Sequence, residues 1–186
     1  MSSYKQLKDE ELMHRLTKGD ESAFNELYSR YAQRILLFMY KMLKQDEARA
    51  QDFTQDVFLK VVEAAEGFDR NKSFKTWVFT IAANLCKNHF RKNVGDIREI
   101  QNTSLQISNQ AEDKMDRELK NQALKEEIAA LPSPYRETFV LRYSEELKVK
   151  EIAQAQNIPE GTVKSRLNKA TQILAEKMRL FTKVQH

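Results

Sequence analysis

Three stretches of this sequence carry side chains that could do chemistry. In NIPEGTVKSRLNKATQIL (157–174), Lys164, Ser165, Asn168, Lys169 and Gln172 recur at helical spacing. Lysine can donate to guanine acceptors or to phosphate, asparagine can pair with adenine, and serine suits either. In GFDRNKSFKTWVFTIAANLCKNHFRK (67–92), bases alternate with aromatics. Arg70, Asn71, Lys72, Ser73 and Lys75 open it, and Asn84, Lys87, Asn88 and Arg91 follow at i, i+3, i+4, i+7. Basic grooves hold the backbone of a single strand, and stacking platforms and pockets hold its bases. In QDFTQDVFLKV (51–61), Phe53 and Val57 take the inward side of a helix and leave Asp52, Gln55 and Asp56 exposed. An acidic face repels phosphate, so it addresses a different partner. Solvated helix charge is the plain alternative for each of these faces.

Charge is distributed to match. The chain has 186 residues and a net charge of +4. Residues 1–92 carry 16 basic and 13 acidic side chains, 93–120 carry 4 and 6, and 121–186 carry 11 and 8. Two basic blocks therefore flank an acidic connector. From Arg70 to Lys92 there are six basic residues and no acid. Such patches are the footprint expected of a nucleic-acid binder.

Catalysis is hard to assemble from what remains. His14, His89 and His186 are scattered, with no partner at metal-ligand spacing. Cys86 sits in the apolar run IAANLC and reads as a buried, inert thiol. There is no Gly-rich phosphate loop and no GxSxG. The chain is expected not to be an enzyme and to need no cofactor. A single cysteine cannot form an internal disulfide, which fits a reducing cytoplasm. MSSYKQLKDEEL is too polar for a signal peptide. No apolar run approaches the roughly 18–20 residues of a membrane span, so no stable membrane insertion is expected.

The elements that must hold these groups are helices. Gly is 4, Pro is 3 and charged residues are 31% of the chain. With helix formers dominant, the expected fold is all-α, two small helical domains joined by a flexible acidic linker. Four helices are predicted first. Asp9 caps one reaching about Lys18, Asp20 a second reaching about Leu43, Asp46 opens a third to about Ala65, and Ser73 caps a fourth to about Lys92. VGDIREIQNTSLQISNQAED (94–113) is too polar for a core and reads as the linker. Helical periodicity resumes at about Lys114 and stops at LPSP. Ser133 and Pro134 start the next helix, a short one covers 148–156, and the last begins at Pro159 or Glu160.

The last two helices are read as a helix-turn-helix. Ile152 and the small Ala153 face inward, and Asn157 tolerates the left-handed turn between the helices. Val163, Leu167, Ala170 and Leu174 make one buried stripe. Lys164, Ser165, Asn168, Lys169 and Gln172 then fall on the wet side, where such a helix enters the major groove.

GTVKSRLNKA resembles the recognition helix of bacterial RNA polymerase sigma factors of the extracytoplasmic function (ECF) class. LPSPYRETFVLRYSEELKVKEIAQAQNIPEGTVKSRL resembles their whole C-terminal domain. The resemblance implies that Lys164, Ser165, Asn168 and Lys169 read the upstream (−35) element. The family often carries arginine where Lys169 stands, and lysine cannot reproduce a bidentate contact. FKTWVFTIAANLCKNHFRK is similar to the segment of that class that reads the −10 element. This assigns Arg70, Asn71, Lys72, Ser73, Lys75, Asn84, Lys87, Asn88 and Arg91 to the melted strand. QDFTQDVF resembles the segment that grips the largest polymerase subunit, through Asp52, Gln55 and Asp56. The implied organisation is a region-two-type domain (1–93), a linker (94–113) and a region-four-type domain (114–186). The implied partners are core RNA polymerase, promoter DNA as duplex and single strand, and an anti-sigma factor. From the residues alone, a dimeric helix-turn-helix regulator and an adaptor for acidic proteins remain open.

Overall fold

The computed structural model describes residues 4–92 and 114–184. Among them are eight α-helices and no strand: α1 (Asp9–Leu16), α2 (Glu21–Met42), α3 (Glu47–Glu63), α4 (Phe74–Lys92), α5 (Lys114–Ala130), α6 (Ser133–Tyr143), α7 (Val149–Gln156) and α8 (Glu160–Val184). Single 3-10 turns at Tyr4–Gln6 and Ala65–Gly67 were not anticipated. The expected linker, 94–113, lies outside the described residues.

Local chemistry sets most helix starts. Gly19, with φ +79°, makes the turn after α1 that L side chains resist. Asp20 then caps α2, its carboxylate accepting the Ala23 N–H at 3.1 Å. Lys44 and Gln45 take left-handed φ values of 56° and 67°. Asp46 follows them and caps α3 through the Arg49 N–H at 3.0 Å. Asp9 departs from expectation. Lys8 is the residue before α1, and Asp9 is helical. Its carboxylate instead accepts from Arg30 at 2.7 Å and from the Tyr31 hydroxyl. Burial, then that bond to Asp9, push the Tyr31 phenol above its usual range. Ser133 likewise begins α6 without capping it; Pro132, extended at φ −53°, ψ 140°, stands before it.

The N-terminal lobe buries Leu12, Leu27, Ile35, Phe38, Val57, Phe74 and Phe79 completely or nearly so. Each such side chain contributes about 1.5–3 kcal/mol relative to exposure. The C-terminal lobe closes over Leu131, Ala170 and Leu174, with Ile128 and Phe139 packed around them. The lobes also share a core. Val140, Leu141, Leu147 and Ile152 pack in one cluster with the N-terminal residues.

One buried cation ties the lobes together. Arg136 of α6 is 2% exposed. It donates to the carbonyls of Ala129 and Leu131 at the end of α5, and to Met42 at the end of α2 at 3.0 Å. Helix C-termini present unsatisfied carbonyls and partial negative charge, so one guanidinium serves two of them. Its carbon atom also lies 5.9 Å from the Phe90 ring centroid.

Candidate nucleic-acid interface

The helix pair α7–α8 is built around its turn. Glu151 accepts the Lys148 N–H at 2.7 Å and fixes the start of α7. Asn157 ends that helix in the left-handed conformation, φ 53°, ψ 53°, as the sequence predicts. The Ile158 N–H then returns to the Ala153 carbonyl at 3.0 Å, closing the end of α7. Pro159 O receives the N–H groups of Thr162 and Val163, which starts α8. Val163 and Ala170 are fully buried, Leu174 is buried and Leu167 half-buried. Thr138 donates to Gln156 at 3.0 Å and pins α6 to the pair.

That packing leaves Lys164, Ser165, Asn168, Lys169 and Gln172 exposed on one side of α8. Ser165 turns its hydroxyl proton back to the Thr162 carbonyl at 2.9 Å. Its oxygen therefore faces outward as an acceptor. Lys164, Asn168 and Lys169 present donors around it. Thr171, also exposed, bonds back to the Leu167 carbonyl at 2.9 Å in the same way.

The second surface is α4 with the loop before it. Ser73 caps the helix by accepting the Thr76 N–H at 3.3 Å. Asp69 orders the loop, accepting the Asn71 N–H at 3.0 Å. Arg70, Asn71, Lys72 and Ser73 are all exposed. Arg70 points at the His14 ring. Desolvation and then the Arg70 charge hold that imidazole below its ordinary value. The two residues rim a cavity of about 240 Å³ floored by Met13, Ala65 and Phe68.

Along α4 itself Asn84, Lys87, Asn88 and Arg91 are exposed in one stripe. Trp77 and Thr80, half-buried, lie on the same side by helical spacing. The indole is held by Phe68 at 5.0 Å and Phe74 at 6.0 Å between centroids. Thr80 donates its hydroxyl back to the Thr76 carbonyl at 2.7 Å. Lys75 does not join this stripe. Nine residues at about 100° each set it about 180° from Asn84. Burial, then the Arg34 charge, lower its ammonium pKa, while Glu145, Glu146 and Glu151 oppose that shift.

The third surface lies on α3. Asp52, Gln55 and Asp56 are exposed, opposite fully buried Val57 and half-buried Phe53. Leu59 and Val62, 61% and 49% exposed, continue the same face at i+7 and i+10 from Asp52. Sequence reading passed over them because apolar residues are expected inside.

The family model described as Sigma-70 region 2 matches residues 27–94, and that described as Sigma-70, region 4 matches residues 121–174. The chain is similar to the ECF RNA polymerase sigma factor SigW of Bacillus subtilis (strain 168), 33% identical over 174 residues, covering 87% of this chain and 92% of the relative. It is similar to the ECF RNA polymerase sigma-E factor of Escherichia coli (strain K12), 30% identical over 185 residues, covering 93% and 95%. Its fold matches CnrH, solved in complex with the cytosolic domain of CnrY, with a TM-score of 0.69 at 20% identity over 92% of this chain and 97% of that one. It also matches the sigma factor RpoE of Bartonella quintana, solved with the anti-sigma factor NepR, with a TM-score of 0.66 at 21% identity over 84% and 96%. At those identities the structural likeness speaks to fold alone.

Proposed function

The chain belongs to the ECF class of RNA polymerase sigma factors, and from that premise we propose how its three surfaces divide the work of initiation. As a sigma factor it binds core RNA polymerase and directs promoter-specific transcription initiation. The proposed division gives residues 1–93 the polymerase grip and the −10 element, and residues 114–186 the −35 element, with 94–113 as linker. The polymerase supplies the chemistry of RNA synthesis, and this chain supplies address and strand opening, with no catalysis of its own.

In this reading Asn84 and Asn88 offer amides to unstacked bases, while Lys87 and Arg91 hold phosphate. Arg70, Asn71, Lys72 and Ser73 receive the flipped base at the loop. Trp77, backed by two phenylalanine rings, stands at the duplex edge. The energetics are balanced. Unstacking one base-pair step costs about 1.4 kcal/mol on average. A base stacked on an aromatic ring regains about 1–3 kcal/mol. One or two captured bases therefore offset about as many opened steps.

Lys164, Ser165, Asn168 and Lys169 read the upstream duplex, since only the first turns of such a helix reach base edges. Asp52, Gln55 and Asp56, extended by Leu59 and Val62, take a basic and apolar face of the polymerase. Because the solved structures of similar fold carry a CnrY domain and the anti-sigma factor NepR, we assign this chain an anti-sigma partner as well. Among the described residues no helix is long and apolar enough to cross a membrane. We place the protein in the cytoplasm, where its polymerase works.

The observation that carries this reading is two separate exposed polar faces, on α4 and on α8, in one sigma-factor chain. Footprinting of the reconstituted holoenzyme tests it. Two protected segments, with strand opening confined to the downstream one, are expected. A single protected palindrome bound by the chain alone would mark a dimeric regulator instead.

A further inference from the structure

We propose that a groove between α2 and α5 binds a small amphipathic carboxylate, its tail between Leu37 and Ile128 and its head between Lys41 and Lys125. The site is independent of the three surfaces described above. Leu37, Tyr40 and Lys41 stand at i, i+3 and i+4 on α2, and Lys125, Ile128 and Ala129 stand at the same spacing on α5. Each trio shares one helix face. The two faces line a space of about 240 Å³. Arg136 bonds the Ala129 carbonyl of one wall and the Met42 carbonyl of the other, so the space is preformed.

The lining is divided between apolar walls and cations. Leu37 is 45% exposed, an apolar side chain left in water beside half-buried Ile128. Small-molecule sites pair such walls with a few convergent polar groups. Lys41 gives one proton to Ser144 at 2.9 Å and retains two. Lys125 makes no ion pair among the described residues. Burial lowers the Lys41 ammonium pKa, the charge of Glu145 opposes that shift, and the charge of Lys125 adds to it. The two ammonium groups therefore feel each other across the groove. The nearby acids are already engaged, Glu145 by Arg34 at 2.9 Å and Glu126 by Gln122 at 3.0 Å. A carboxylate placed between the lysines relieves their repulsion. The volume sets the tail. At about 30 Å³ for each heavy atom, the share of one water molecule in the liquid, the groove takes about eight. Octanoate fits, with its eight carbons inside and its oxygens at the rim. A space about 6 Å on a side excludes a whole helix, which is about 10 Å across.

Isothermal titration calorimetry of the full chain with sodium octanoate tests the site, and amide NMR shifts locate it. Expected results are saturable one-to-one binding and shifts in the side-chain amides of Gln45 and Gln122 at the rim. Each methylene added from butanoate to octanoate tightens binding about fourfold, equivalent to about 0.8 kcal/mol, and longer chains gain no more. Octanol, without the charge, binds about tenfold more weakly. Lys125→Gln, at an exposed position, brings octanoate to the octanol level and leaves octanol unchanged. Leu37→Glu, also exposed, abolishes binding of both. Should either variant misfold, the ratio of octanoate to octanol affinity in the wild-type chain gives the same test. Absence of saturable binding below the micellar concentration of octanoate would overturn the site. Equal affinities for octanol and octanoate would overturn the lysine contact. Binding to phosphatidylglycerol vesicles without binding of free octanoate would give the groove to a lipid surface instead. A dimer that Leu37→Glu dissociates would give it to a second copy of the chain. Either of these last two results also overturns the proposal.

Discussion

Arg136→Met is the substitution that tests the clamp between the lobes most directly. Methionine keeps most of the apolar stem, so packing is largely preserved and hydrogen bonding is what changes. Three carbonyls lose a charged donor: Ala129, Leu131 and Met42. A hydrogen bond to a charged group is worth about 1.5–3 kcal/mol net. The sum overstates the effect. Desolvation by burial already lowers the guanidinium pKa, a sign that the charge is costly to hold there. Carbonyls at helix ends can also turn to water once the guanidinium is gone. A net loss of about 3 kcal/mol results, the worth of one to two hydrogen bonds to a charged group. For a chain of this size that corresponds to a melting temperature lower by about 6–12 °C. Arg136→Lys recovers only part, since one ammonium cannot span carbonyls from two helices. Urea unfolding followed by far-ultraviolet circular dichroism measures the loss. A change within about 0.5 kcal/mol for Arg136→Met would place it among neutral surface substitutions and refute the clamp.

Other predictions follow from the three surfaces and the core. Lys164→Ala with Lys169→Ala weakens selection of the upstream element by about 1–3 kcal/mol for each base contact, read as holoenzyme binding to intact and scrambled upstream sequence. Asp52→Ala with Gln55→Ala and Asp56→Ala lowers affinity for core polymerase in co-purification and leaves the melting curve unchanged, because all three are exposed. Asn71→Ala with Lys72→Ala slows promoter opening, and a pre-melted template restores it; absence of rescue would make the loop structural. Burial pushes the Cys86 thiol from 9.0 up to about 12. As an acid raised in the folded state, it contributes stability in full below about pH 9 and loses it as pH climbs toward 12. Tyr31, also raised, adds to the same alkaline loss. Circular dichroism against pH should show the transition become shallower in Cys86→Ala.

What the sequence revealed was local. Helix-turn-helix spacing depends on residues within about twenty positions, and Ala153, Asn157 and Val163 occupy the places their size and backbone preferences require. The caps at Asp20, Asp46 and Ser73 involve neighbours three residues on, so they too could be read. What escaped was settled by partners far along the chain. Asp9 has the composition of a cap, but Arg30 and Tyr31 claim its carboxylate from α2. Arg136 belongs to a motif that named the family, yet its reach to Met42 spans 94 positions. Lys75 is one of several bases in one stretch. Only the helix phase and the acids of the other lobe separate it from Asn84. The site was thus legible as three exposed faces, and illegible where one face meets the opposite lobe.

The central claim is that this chain tells core polymerase where to start. Purified core polymerase, transcribing genomic DNA in vitro with and without the chain, tests it by mapping of RNA 5′ ends. New 5′ ends are expected only when the chain is present, each downstream of the same pair of spaced sequence elements. Identical 5′ ends in both reactions would contradict the account.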